Sequence, residues 1–191
     1  MREAAILALG ALVAVATLGL AAASGEARNR DAERRDLVTT QLKDAAGAGR
    51  GTAALYQRGQ EIRVEVNFTG AEPGSVHAVH LHLIGRCHAP DFASAGEHWN
   101  PYRVGHGLQN AWRGHSGDLP NLQIGPDGTG RIDTQIDGIA LTEGQPPLVN
   151  LGAIVIHADP DDMRSDPAGN SGARIACGAF GSDAPTTPPS N

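Results

Sequence analysis

From residue 37 to residue 158 the chain repeatedly falls into short runs that mix apolar and polar positions: LVTTQL, GTAALYQ, EIRVEVNFT, HAVHLHLI, NLQIG, GRIDTQID and LGAIVIHA. Alternation with a period of two sends successive side chains to opposite faces, so these runs are predicted β-strands with one face toward a core. RGQ, AEPGS and PDGTG lie between runs and predict tight turns. Many short strands at near-regular spacing favour an antiparallel sandwich or barrel. The alternation lapses from Cys87 to Leu122, a stretch rich in Gly, Pro, Asn and His. A loop of that length inside a compact domain is normally functional or disordered. The four histidines within it argue against simple disorder.

The two ends have different patterns. Residues 1–24 carry one Arg, a long Ala/Leu/Val run and small residues at Ala21 and Ala23, the shape of a secretory signal peptide. The competing reading is an uncleaved membrane anchor, because Ala4 to Ala23 is about long enough to span a bilayer. Either way the remainder is expected to be exported: periplasmic, held in the cell envelope or secreted. Residues 25–36, GEARNRDAERRD, are charged and aperiodic and predict a flexible linker. Residues 37–181 then form one domain, and the polar, Pro-rich SDAPTTPPSN at 182–191 predicts a disordered tail.

Composition narrows the function. A chain of 191 residues has room for one ordinary domain with a leader and tails. A net charge of −6, with fourteen Arg and one Lys, offers no general basic surface for nucleic acid. A small anionic substrate would need a local positive field against the global repulsion. Cys87 and Cys177, an even count in an exported chain, argue for one disulfide, with two free buried thiols as the alternative. A bridge would close a loop of about ninety residues, worth roughly 4–5 kcal/mol in the chain-entropy model. NFT at Asn67 is a glycosylation sequon where the cell performs that chemistry.

HAVHLHLIGRC places three histidines in six positions of an otherwise apolar strand. His80 and His82 share a face and can chelate one ion, while Val79, Leu81 and Leu83 point the other way. His77 has the opposite parity and is expected to be a hydrogen-bonded structural histidine. HWNPYRVGH adds His98 and His106, HSGD adds His115 and Asp118, and VIHADPDD adds His157. Three neutral nitrogens and a carboxylate suit zinc, whereas an all-imidazole set suits copper.

HLHLIGRC, AGEHWNPYRVGH, GHSGDLPNL, IVIHADPDD and GNSGARIACG together resemble the copper/zinc superoxide dismutases over roughly residues 38 to 180, in a bacterial-type, exported form. The resemblance implies an eight-stranded antiparallel Greek-key barrel with the metals outside it, beneath two long functional loops. It implies His80, His82, His98 and His157 as copper ligands, and His98, His106, His115 and Asp118 as zinc ligands, with the His98 imidazolate bridging the two ions. Asp161 falls where the family links a copper-ligand histidine to a zinc-ligand histidine. Arg174 matches the substrate-guiding arginine, and Cys87–Cys177 matches the intrasubunit disulfide. The implied reaction is dismutation of superoxide to dioxygen and hydrogen peroxide, with His98 and Arg174 as the catalytic pair. The resemblance leaves homodimer and monomer both open, since the contact surfaces of exported members vary.

Some positions depart from the animal-type pattern. The segment between His157 and Arg174 is short and lacks the usual lysine, leaving Arg164 as a candidate substitute. Ala168 replaces a threonine that often faces the arginine, and the loop between Cys87 and His98 is longer. His88 has no counterpart among the ligands and is expected to be a solvated loop residue. A copper carrier, a copper-only dismutase and a zinc-stabilised binding module are the competing readings. The intact ligand set and Arg174 weigh against all three.

Overall fold

The computed structural model describes residues 34–58, 61–111, 114–136 and 152–180. The expected leader, most of the linker and the tail lie outside the described residues. From Asp36 onward the described residues form a compact unit.

The strands are β1 (Arg34–Asp44), β2 (Gly49–Arg58), β3 (Glu61–Thr69), β4 (Val76–His77), β5 (Val79–His82), β6 (Leu122–Gln123), β7 (Thr129–Ile136), β8 (Ala153–His157) and β9 (Arg174–Ala179). One seven-stranded sheet runs β5-β8-β9-β1-β2-β3-β7, and β4 pairs with β6 in a separate ribbon. The steps from β3 to β5 and from β7 to β8 each cross from one side of the sheet to the other, the connection pattern of a Greek key. β4 and β5 are separated only by Ala78, and counting them as one interrupted strand gives the expected eight among the described residues. The ribbon also ties the edges of the curled sheet together. β4 leads into the edge strand β5, while β6 reaches the edge strand β7 through the Ile124–Gly130 bridge.

Alternation explains which face is buried. Along β7, Ile132 and Ile136 turn inward while Arg131 and Asp133 turn out. Leu42, Leu55, Val64, Val66, Phe68, Val79, Leu81, Ile154 and Ile156 complete the barrel interior. Each fully buried aliphatic side chain contributes about 1.5–3 kcal/mol relative to exposure. Trp99 and Leu119, both from the long loop, enter the same core. They sit next in sequence to His98 and Asp118, so apolar burial anchors two of the loop's polar residues. On the outer face, Arg63 and Tyr56 both bond Asp133, and Asn67 of the sequon donates to Glu65 within β3.

A smaller apolar cluster of Phe92, Ala95, Ala153, Val155 and Cys177 lies under the loop that begins at Cys87. The Cys87–Cys177 disulfide closes it, with Cα atoms 5.7 Å apart and a sequence separation of 90. Replacing both cysteines by serine is expected to lower the unfolding free energy by about 4 kcal/mol. The measurement is the shift in denaturant midpoint at constant slope; an unmoved midpoint would remove the loop-closure contribution.

Candidate metal centre

Backbone pairing brings the site together before any side chain acts. His80 faces Asp118 and His82 faces His98 as isolated antiparallel bridges. Trp99 N–H donates to Leu81 O, Leu81 N–H to Gly117 O, and Gly117 N–H to Trp99 O. The loop thus lies along β5 as a partial extra strand. Gly117 permits this approach, since a Cβ there would stand 2.4 Å from Leu81 O. β8 delivers His157 beside β5, because Val79–His82 pairs residue for residue with Ala153–Ile156.

Two groups of potential ligand atoms result. His80, His82, His98 and His157 each offer a nitrogen within 4.8 Å of the others, and so do the acceptors of His80, His98, His106 and Asp118. All six residues are buried. His115 belongs with the second group: its Nδ1 lies 3.4 Å from His98 Nδ1 and 3.3 Å from Asp118 Oδ1. His98 Nδ1 and His106 Nδ1 lie 3.1 and 3.0 Å from the same oxygen. Ligands bonded at about 2.0–2.1 Å to one tetrahedral zinc stand about 3.3 Å from each other, so this spacing is that of atoms sharing an ion.

The proton positions sharpen the picture. His80 Nε2 meets Asp161 Oδ2 at 2.9 Å, His82 Nδ1 meets Gly96 O at 2.9 Å, and His157 Nδ1 meets Gly172 O at 3.3 Å and Ser171 Oγ at 3.1 Å. With one ring nitrogen donating, the other carries a lone pair. Those other atoms, His80 Nδ1, His82 Nε2 and His157 Nε2, are buried without a hydrogen-bond partner, and so is His98 Nε2. Unsatisfied buried acceptors are costly, and four brought this close together have the arrangement of a site that could hold a metal ion.

Electrostatics agree. Burial holds His98 at about 4 and His157 at about 3, and pushes His80 and His82 down as well, so these rings are neutral at physiological pH, the form that can act as a ligand. His106 goes the other way. Burial opposes its charge, but the Asp118 and Asp161 carboxylates outweigh burial and raise it to about 9. Asp118 and Asp161 are held well below the ordinary carboxylate range; imidazole hydrogen bonds overcome the burial that would raise them.

Asp161 joins the groups, meeting His80 Nε2 and, at 3.0 Å, His106 Nε2. It is fixed by residues that carry no signal in the sequence. Asn121 accepts Asp161 N–H and donates to Asp161 O, both at 2.8 Å. Gly169, with φ +61, leaves room where a Cβ would collide with Asp161 and with His106. Asp166 accepts His106 N–H at 2.7 Å.

Arg174, half-buried at the start of β9, donates from Nη1 to Phe92 O and from Nη2 to Gly96 O, both at 2.7 Å. It lines an open cleft of about 870 Å³ with His98, His115, His157 and Ala168. Arg164 does not line it; its Nε donates to Gln109 at 3.0 Å. His77 stands apart, with its ring nitrogens on Ser75 Oγ and His157 O, and His88 is exposed.

The family model for copper/zinc superoxide dismutase (SODC) matches residues 49–180. Superoxide dismutase Cu-Zn 1 of Aquifex aeolicus is 40% identical over 131 residues, covering 67% of this chain and 78% of that protein. A crystal structure of a double mutant of a superoxide dismutase-like protein from Bacillus subtilis matches with a TM-score of 0.72 and 32% identity, over 78% of this chain and 99% of that one. The Cu/Zn superoxide dismutase of Brucella abortus matches with a TM-score of 0.60 and 25% identity, over 75% of this chain and 99% of that one. Sequence and fold therefore agree that this chain belongs to the copper/zinc superoxide dismutase family, oxidoreductases that use copper and zinc.

Proposed function

We propose that the protein is exported and converts two superoxide anions and two protons to dioxygen and hydrogen peroxide, at a copper held by His80, His82, His98 and His157. His98, His106, His115 and Asp118 would hold a zinc beside it. The observation that carries this reading is the set of four buried imidazole nitrogens that converge with no donor between them. Copper, when bound, supplies one-electron redox between two oxidation states; zinc supplies a fixed positive charge.

The chain's own groups do the rest. His98 directs Nε2 to the first group and Nδ1 to the second, so holding both ions requires the ring to give up both protons. Nε2 is then the atom placed to take a proton and pass it to the bound anion. Asp161 holds the His80 and His106 rings in fixed orientations and links the two ligand sets. Arg174 uses part of its fork on two carbonyls, leaving N–H donors for a small anion at the floor of the cleft. The disulfide, at home in an oxidising compartment, ties the strand carrying Arg174 to the loop whose carbonyls hold it.

The direct test is metal analysis with a superoxide assay on purified protein. One copper and one zinc per chain with activity is the expected result; full loading without activity would favour a copper carrier. The raised His106 gives a further check. In the metal-free protein this ring keeps its proton up to about 9, so zinc must displace it, and zinc affinity should rise with pH from about 6.5 to about 9. Calorimetry near pH 7.5 in two buffers of different ionisation enthalpy should show about one proton released per zinc, and no release would reject the His106 assignment.

A further inference from the structure

The lining of the substrate cleft includes one cationic side chain, Arg174, and two carboxylates, Glu97 and Asp166, among the described residues. Asp166 is committed to the His106 backbone N–H. Glu97 is not committed. Its carbonyl accepts Leu83 N–H at 2.9 Å, but its exposed carboxylate has no hydrogen-bond or ion-pair partner among the described residues. It directly follows Gly96, whose carbonyl holds Arg174, and directly precedes His98. A negative charge with no ion-pair partner among the described residues therefore stands on the rim of a cleft whose floor must attract an anion. Arg103 lines a neighbouring groove that Glu97 also borders, but makes no ion pair with it among the described residues, and Arg164 is turned to Gln109.

We propose that Glu97 is a charge gate, a specificity-determining residue that weakens capture of all anions at Arg174 and weakens polyvalent anions most. The inference rests on the reading of the cleft as the superoxide site. Its physical basis is that the energy of a ligand in the field of Glu97 scales with the ligand's own charge. A factor f lost by a monoanion becomes about f² for a dianion, so the gate costs superoxide some rate but costs phosphate more. Because the carboxylate is exposed, its field is screened beyond about 8–10 Å at physiological salt.

The experiment compares the copper- and zinc-loaded wild type with Glu97→Gln and Glu97→Lys. Azide binding is followed by the visible absorption of copper, and phosphate binding by competition with azide at about pH 8, where phosphate is mainly a dianion. At low ionic strength, Glu97→Gln should tighten azide about two- to threefold and phosphate about four- to ninefold, with Glu97→Lys moving further in the same direction. The differences should collapse near 1 M salt, with metal content unchanged. The second-order rate with superoxide should rise in parallel with azide affinity. Equal affinities across the three proteins, or equal fold-changes for azide and phosphate, would overturn the gate. A wild type that binds both metals but does not dismutate superoxide would overturn the proposed function, while the azide and phosphate comparison would still decide Glu97.

Discussion

Asp118→Ala is expected to abolish zinc retention and to destabilise the metal-free fold by about 3–5 kcal/mol, the usual cost of removing one partner from a buried charged group. Asp118 is buried and gathers three imidazoles, and it also accepts Gly107 N–H at 2.8 Å and His115 N–H at 2.9 Å. Alanine would leave those backbone donors and Nδ1 of the charged His106 ring without their acceptor, with only Nε2 still held by Asp161. The pH dependence has a defined sign. Asp118 has a folded pKa depressed below its ordinary 3.8, so its contribution is present above that value and is lost as pH falls. His106 is raised from 6.5 to about 9, so its contribution is full below 6.5 and is lost as pH rises through about 9. The advantage of wild type over Asp118→Ala should therefore peak between about pH 4 and 6.5. Denaturant titrations of the two metal-free proteins from about pH 3 to about pH 9.5 would show it; a difference that stays flat from about pH 6.5 to about pH 9.5 would mean the carboxylate is not paired with His106.

The parts of this structure that depend on periodicity were legible in the chain, and the parts that depend on backbone atoms were not. GRIDTQID and EIRVEVNFT alternate, and they became β7 and β3. RIACGA forms β9 with no strand signal in its sequence, because its small residues carry no alternation and its last four positions are all buried. His80 and His82 declared a shared face through their spacing alone. His98, His106, His115 and Asp118 lie in a loop where no period operates, so only a family resemblance could order them. Asn121, Gly117 and Gly169 escaped because their roles are hydrogen bonds to, or close approach of, segments remote in the chain. The same holds for the Phe92 and Gly96 carbonyls that fix Arg174: a backbone oxygen has no signature in a sequence. Arg164 shows the converse, since its charge was visible but its commitment to Gln109 was not.

Arg174→Ala is expected to lower the second-order rate with superoxide by about 10–100-fold at low ionic strength, the scale on which a focused local field alters anion association. Copper and zinc contents should stay at wild-type levels, because Arg174 contacts carbonyls rather than ligand nitrogens. Burial lowers the pKa of its guanidinium, with Asp91 opposing, yet an arginine remains charged throughout the accessible pH range. Removing the cleft's one described cation leaves Glu97 and Asp166 to set its field. The rate, which should fall with salt in the wild type, should therefore become flat or rise with salt in the variant. Arg174→Lys separates charge from geometry. A lysine keeps the positive field and with it the salt dependence, but one ammonium cannot bond both Phe92 O and Gly96 O while presenting fixed donors to an anion. Its rate should fall between the other two, with the slope of the wild type. Stopped-flow or pulsed generation of superoxide over a range of ionic strength measures both quantities. Equal rates for wild type and Arg174→Ala would remove the arginine from substrate capture. A lysine variant with the alanine variant's slope would mean that the guanidinium's shape, rather than its charge, carries the effect.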